Sequence, residues 1–292
     1  MTWALGYSVC NTPMRLKLKS IPACLALLAT MAVPQSALAD GEDPPSPTPS
    51  PRHALAIGAG LRGDAVREDL VVPLTFSGPG VRLLAAYRGW VGPGLLSARG
   101  DLGLAFLFNR FGHIAATLDY NAEVAWTTRV LRGVGWHLSL GPAIALDSRV
   151  NYLYSWDDAH GYWLGTEWLG PMVRHTRRVS DRWRLEAGTS LALVGFEGRP
   201  PSYRYNKQDA LTHVDYFFTQ PQRSERFVTL ADLQVLRIDV AFRHAAYGAP
   251  DPSSEIGRGW AFGVDVRFAR TTVAATNINL GACLYAKHAW GW

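Results

Sequence analysis

The chain has 292 residues, a formal net charge of +5 and a mean hydropathy of −0.01, with 11 each of Trp, Tyr and Phe. Arg15, Lys17 and Lys19 account for three of the positive charges, and the remainder of the chain is near neutral, which excludes the clustered basic surface that nucleic acid requires. Beyond residue 39 no apolar run approaches the roughly 18 to 20 residues of a transmembrane helix, so any membrane span must be made of strands.

Residues 14–19 form a short basic head and residues 21–33 an uncharged apolar run that stops at Pro34. The run has the length of a signal h-region and is too short to cross a bilayer. Ala37-Leu38-Ala39 closes it, so residues 1–39 are expected to be a signal peptide cleaved after Ala39, with translation starting at Met14. Cys24 precedes most of the apolar run and is a poor lipoprotein cysteine. Cys283 then remains as the single cysteine of an exported chain, which excludes an internal disulfide. Residues 40–52 carry Pro-Pro-Ser-Pro-Thr-Pro-Ser-Pro and read as an extended, partly polyproline lead into the periplasm.

From His53 to Trp292 the period is two. Leu55, Ile57, Ala59 and Leu61 share one face of the first strand. Further on, Leu118, Tyr120, Ala122, Val124 and Trp126 oppose Thr117, Asp119, Asn121, Glu123 and Thr127. Trp136, Leu138, Leu140, Ile144 and Leu146 alternate with His137, Ser139, Gly141, Ala143 and Asp147. Trp260, Phe262, Val264, Val266 and Phe268 alternate with Gly263, Asp265 and Arg267. A helix would not keep such parity, because its apolar stripe recurs every three to four residues.

Candidate strands cover 54–62, 70–77, 81–90, 95–108, 113–129, 135–148, 162–177, 182–195, 227–247, 258–270 and 276–290. A single-chain barrel with both ends on one side needs an even number, so about 12 strands are expected, with one more hidden after Ser77 or Glu225; 10 is the alternative. Residues 77–80, 109–112 and 179–181 read as periplasmic turns. The longer polar segments 149–161 and 198–226 read as outer loops, and the aromatic residues as girdles at the two interfaces.

Ile278, Leu280, Ala282, Leu284, Ala286, His288, Trp290 and Trp292 share one parity and end on an aromatic residue. This resembles the terminal strand of Gram-negative outer membrane β-barrel proteins, which the barrel-assembly machinery recognises. His288 departs from the bulkier apolar residue usual there, and Trp292 stands for the commoner Phe. The resemblance implies an all-β, antiparallel up-and-down transmembrane barrel over residues 53–292, located in the cell outer membrane of a Gram-negative envelope. It implies partners in outer membrane lipid, lipopolysaccharide and the assembly machinery. A secreted sandwich or lipocalin-like barrel would alternate in the same way with its apolar face turned inward; strand number, strand length and the aromatic ending favour the membrane form.

Among residues that could carry chemistry, residues 58–63 match G-x-G-x-x-G, but Pro73 follows early and Leu83 and Leu84 occupy the acidic slot a dinucleotide site needs. Ser190 lies in a near match to a nucleophile elbow that lacks the last glycine and the sharp turn. His160 with Asp157 or Asp158, beside Tyr152, Tyr154, Trp156, Tyr162 and Trp163, could form an acid–base pair next to an acyl or sugar site; the plainer reading is girdle and solvated loop. Residues 198–218 hold Arg199 and Arg204, which could reach lipopolysaccharide phosphates, and His213, Asp215, Tyr216, Phe217 and Phe218, in a segment long enough to be functional. No spacing amounts to a metal signature, and no cofactor is expected.

Arg82, Arg88, Arg129, Arg184, Arg237, Arg243 and Arg267, with Asp119, Asn121, Glu123, Glu186, Asp239 and Asp265, fall opposite the large apolar residues. An Arg facing lipid near the midplane costs about 2 to 4 kcal/mol, so these are expected to line the lumen. There they either close into a salt-bridge lattice or border a narrow path for small ions or solutes, biased toward anions. The sequence therefore points to a narrow Arg-lined, porin-like pore or a structural barrel with outward-facing binding loops. The alternatives are a membrane-embedded lipid hydrolase or acyltransferase, and a surface receptor or adhesin.

Overall fold

The structure is a computed structural model that describes residues 52–69, 72–153, 160–198, 226–245, 256, 258–272 and 276–291. The expected all-β fold is present. Twelve strands follow in chain order: β1 (His53–Glu68), β2 (Val72–Val91), β3 (Gly94–Phe108), β4 (Ile114–Gly133), β5 (Trp136–Leu153), β6 (His160–Arg178), β7 (Trp183–Leu191), β8 (Val194–Gly198), β9 (Arg226–Thr229), β10 (Leu233–Ala245), β11 (Gly259–Thr271) and β12 (Asn277–Gly291). Ten of them close a ring in the order β1-β2-β3-β4-β5-β6-β7-β10-β11-β12, with β12 pairing back on β1 over the whole length from Ala54↔Gly291 to Glu68↔Asn277. β8 pairs with β6 beyond the end of β7, and β9 pairs with β8. All pairings are antiparallel. Closure leaves no strand edge in the ring, which is the condition for a sheet to stand in hydrocarbon.

Alternation sets the two faces. Successive side chains of a strand point to opposite sides, so a ring of alternating strands has one apolar and one polar surface. The apolar set is outside: Ile57, Leu61, Leu83, Phe106, Ile144, Phe262 and Leu284 are exposed, whereas Asp119, Glu123, Arg237 and Asp265 are buried. A soluble barrel would have the opposite arrangement. The apolar exterior identifies the membrane form.

Two turn expectations are corrected. Residues 77–80 do not connect two strands; they lie inside β2, paired with 62–65 of β1. Pairing with β3 lapses at Gly78 and Pro79, between Ser77↔Phe108 and Gly80↔Ala105, so the missing N–H of Pro79 costs no ladder bond on that side. A Cβ at Gly78 would collide with the Phe106 carbonyl, so the close approach requires glycine. The candidate strands 70–77 and 81–90 therefore merge, and the ring holds ten. Residues 109–112 join β3 to β4 at the rim opposite the chain ends, with Asn109 Oδ1 accepting from the Phe111 and His113 amides at 2.9 and 3.0 Å.

The rim that carries both chain ends is the periplasmic one in barrels of this class. Three of its connections, β2–β3, β4–β5 and β6–β7, are short, and the β10–β11 connection spans 246–258. Gly92 and Gly135 turn there at φ 57° and 70°, where only glycine is unstrained, and Ser180 Oγ accepts from the Trp183 amide at 3.2 Å in the β6–β7 turn.

Strand irregularities reset which residues face inward. Leu193, between β7 and β8, and Val194, which opens β8, are both exposed, so parity flips there and Glu197 is buried in the interior. The β4–β5 register shifts between Arg129 and Leu131, which keeps both Arg129, opposite Ser139, and Arg132, opposite His137, on the inner side.

Candidate functional site

The interior is crossed by one connected lattice of six arginines and six aspartates, contributed by β1 to β5, β10 and β11. Arg62 holds Asp64 at 2.5 Å and also binds Asp119. Arg149 approaches Asp119 at 3.7 Å and Asp64 at 3.9 Å. Arg267 links three carboxylates, Asp101 at 3.4 Å, Asp147 at 3.7 Å and Asp119 at 4.0 Å. Arg237 bridges Asp101 at 2.9 Å and Asp265 at 3.0 Å, and Arg82 bridges the same two at 3.5 and 3.2 Å. Arg99 binds Asp265 and reaches Asp239 at 3.8 Å. Neutral partners complete the network: Asn121 Nδ2 donates to Asp101 at 2.7 Å, and the Tyr285 hydroxyl donates to Asp239 at 2.8 Å.

Strand positions decide what these pairs do. In a ring of ten, strands five places apart stand opposite each other, and the contacts that span that full width include Arg149 on β5 to Asn279 on β12, Arg237 on β10 to Asp101 on β3, Arg99 on β3 to Asp239 on β10 at 3.8 Å, Arg267 on β11 to Asp119 on β4 at 4.0 Å, and Arg88 on β2 to Glu186 on β7 at 2.8 Å. The contacts lie at successive heights, so arms from opposite walls meet across the lumen.

Apolar residues form two clusters beside the lattice. Val66, Phe76, Ala105, Leu107 and Ala115 pack together from β1 to β4, and Trp168, Met172, Val228 and Val235 from β6, β9 and β10. The Trp168 indole donates to Asp147 at 2.8 Å, tying this packing to the lattice.

The residues expected in the lumen are distributed as follows. Arg82, Asp119, Asn121, Glu123, Arg184, Glu186, Arg237, Arg243, Asp265 and Arg267 are buried within the ring. Arg88 and Asp239 are partly buried, with side chains 14% and 19% exposed. Arg129 is exposed at the periplasmic mouth, its guanidinium 5.0 Å from the centre of the Trp90 ring. Ser190 is an interior residue whose hydroxyl donates to Glu123 at 2.8 Å, in a continuous strand rather than an elbow. The motif at 58–63 runs along β1, where Gly58 and Gly60 lie against the β12 backbone.

His160 opens β6 opposite Leu153, while Asp157 and Asp158 lie outside the described residues, as do 199–225. Among the described residues no group of His, Cys, Asp and Glu could hold a metal ion.

Sequence reasoning missed half of the lattice arginines, Arg62, Arg99 and Arg149, together with Asp64, Asp101 and Asp147. Their parity was available, since Arg99 and Asp101 alternate with Leu102 and Leu104 and Arg62 continues the small-residue face of β1. Glycine makes room for them. Gly103 lies opposite Asp119 in the register, and a Cβ there would run into the Arg62–Asp119 pair. Gly103→Ala should therefore displace that pair and destabilise the barrel by about 1 to 3 kcal/mol, the range for overpacking a filled interior. Ala at Gly63, where a Cβ meets nothing within 4 Å, serves as the control in the same urea titration.

No protein-family model and no curated protein matches the sequence. Solved structures that resemble the fold include the outer membrane protease OmpT from Escherichia coli, at 10% identity and a TM-score of 0.47 over 86% of this chain and 99% of that one. The translocator domain of the autotransporter NalP from Neisseria meningitidis gives 7% and 0.39 over 82% and 89%. The β-domain of the Bordetella autotransporter BrkA gives 11% and 0.33 over 82% and 99%. Scores this low carry neither residues nor activity to this chain. On its own closed pairing, apolar exterior and charged interior, the chain has the architecture of a Gram-negative outer membrane β-barrel.

Proposed function

We propose that this chain is a structural outer membrane barrel with a closed lumen, a rigid scaffold whose activity resides in its outward-facing connections. The observation that carries this reading is the Arg–Asp lattice. Its six arginines meet six aspartates, and buried Glu123, opposite Arg99, adds a seventh carboxylate at that level, so among the described residues the lattice has no excess of positive charge to draw an anion through, and its pairs meet across the full width of the ring. Direct pairing between opposite walls occupies the space that water would need in a pore. On the outer side the longest connection, residues 199–225, is where the sequence concentrates Arg199, Arg204, His213 and a run of aromatics.

The test is planar-bilayer conductance of residues 40–292, refolded in detergent and shown to be heat-modifiable on a gel. Folded protein is expected to give no steps. Stable steps from the folded barrel would establish the Arg-lined pore instead. Replacing residues 202–222 by a short Gly-Ser linker should leave folding unchanged, whereas a trimmed chain that no longer folds would make the segment part of the barrel rather than something it carries.

A further inference from the structure

Strands β5, β6, β7, β10, β11 and β12 stand side by side in the ring, and near the periplasmic rim their outward residues alternate between tryptophan and histidine: Trp136, His175, Trp183, His244, Trp260 and His288. Each lies within three residues of the periplasmic end of its strand. The register sets Trp183 opposite His244, His244 opposite Trp260 and Trp260 opposite His288. Parity fixes their direction, because His244 shares a face with Phe242, Trp260 with Phe262 and His288 with Leu284, all of them exposed. His175 stands opposite Leu138, on the face of Leu140 and Ile144. Each histidine touches a tryptophan, with ring centres 6.0 Å apart for His175 and Trp136, 4.8 Å for His244 and Trp183, and 5.0 Å for His288 and Trp260.

Tryptophan at this level is what an interfacial girdle uses, whereas histidine brings a strong N–H donor to a face turned toward lipid. A donor that leaves water needs an acceptor. Among the described residues the contacts of His244 and His288 are with aromatic rings, and both ring nitrogens of His175, which is 7% exposed, lack a hydrogen-bond partner. Acceptors at this depth lie in the bilayer's own polar layer.

We propose that this row seats the phosphate groups of phospholipids in the periplasmic leaflet, the imidazole N–H groups donating to phosphate oxygens while the tryptophans pack against the glycerol and the upper acyl chains. A bond to an ionised phosphate oxygen is stronger than one to a neutral ester carbonyl, which selects the phosphate. An imidazole keeps an N–H donor whether or not it is protonated, so the contact does not depend on the charge of the ring. His244 and His288 are partly exposed and meet an oxygen directly; His175 meets one once the Trp136 ring turns aside. The same role accounts for His288 in a terminal strand whose relatives carry a bulkier apolar residue there. The inference concerns only the exterior, so it stands whether the lumen is closed or conducts.

The experiment uses residues 40–292 folded in an alkyl maltoside, a detergent without phosphate, with the histidine rings labelled with nitrogen-15. Dihexanoyl phosphatidylglycerol is titrated in, against dihexanoylglycerol, which has the same chains and no phosphate. The imidazole signals of His244 and His288 are expected to shift saturably with the phospholipid alone, and that of the interior His137 to stay in place. In His288→Phe, which keeps a ring beside Trp260 and Trp290 and removes only the donor, the apparent affinity should fall about tenfold, the scale of one lost hydrogen bond to a charged group. The double variant His244→Phe/His288→Phe should lose the response and still fold in the maltoside; should it fail to fold, each single variant is read in its place. Equal shifts with dihexanoylglycerol would overturn the proposal, leaving an aromatic girdle with no phosphate seat. So would equal shifts with inorganic phosphate, or phospholipid binding of unchanged affinity in both single variants.

Discussion

Asp265→Ala is expected to cost the barrel about 3 to 5 kcal/mol, the range for removing one partner of a buried ion pair. Asp265 is 1% exposed and is met by Arg82, Arg99 and Arg237, so its loss strands three guanidinium groups around a vacated site. Asp101 shares Arg82 and Arg237 but cannot serve all of them, because Arg267 also depends on it. The measurement is urea unfolding in phospholipid vesicles, followed by tryptophan fluorescence and by gel mobility of the unheated sample. Asp181→Ala is the control: its pair with Arg178 is solvent-exposed, with side chains 89% and 46% accessible, and exposed pairs contribute roughly 0 to 1 kcal/mol. A cost at Asp265 no larger than at Asp181 would mean that water penetrates the lattice and that the lumen is not closed.

Leu284→Arg tests the other face. Leu284 sits at the middle of β12 between Leu61 and Val264, is 65% exposed, and points outward. In a soluble protein an Arg at such a site would be nearly neutral, since exposed substitutions away from special features change stability by roughly half a kcal/mol or less. In a membrane it places a charge at mid-depth, at about 2 to 4 kcal/mol. The expected result is that loss, measured in vesicles, with a much smaller effect for Val134→Arg in the β4–β5 turn, where the side chain is 80% exposed at the rim. Equal and negligible effects at both positions would refute the membrane reading of the exterior.

The two substitutions separate what is local from what is not. That Leu284 and Asp265 belong to opposite faces was legible in the alternation of β11 and β12, because the side-chain period of a strand is fixed by its own backbone. The strand count was less legible. Gly78-Pro79-Gly80 has the composition of a turn, and only the lapse in β2–β3 pairing shows how an unbroken strand accommodates Pro79. The parity flip at Leu193 and Val194 was invisible for the same reason, since a bulge is defined by the neighbouring strand and not by the residues it contains. The pairing His160 with Asp157 or Asp158 falls outside the described residues and is carried no further.

The sequence by itself determined strands with one apolar and one charged face, because alternation and parity follow from covalent geometry, whereas ring closure decided that the apolar face is the exterior. Only the tertiary structure decided which arginine meets which aspartate. Arg237 and Asp101 stand 136 positions apart and on opposite walls, and they meet because ring closure and register fix the height at which each projects.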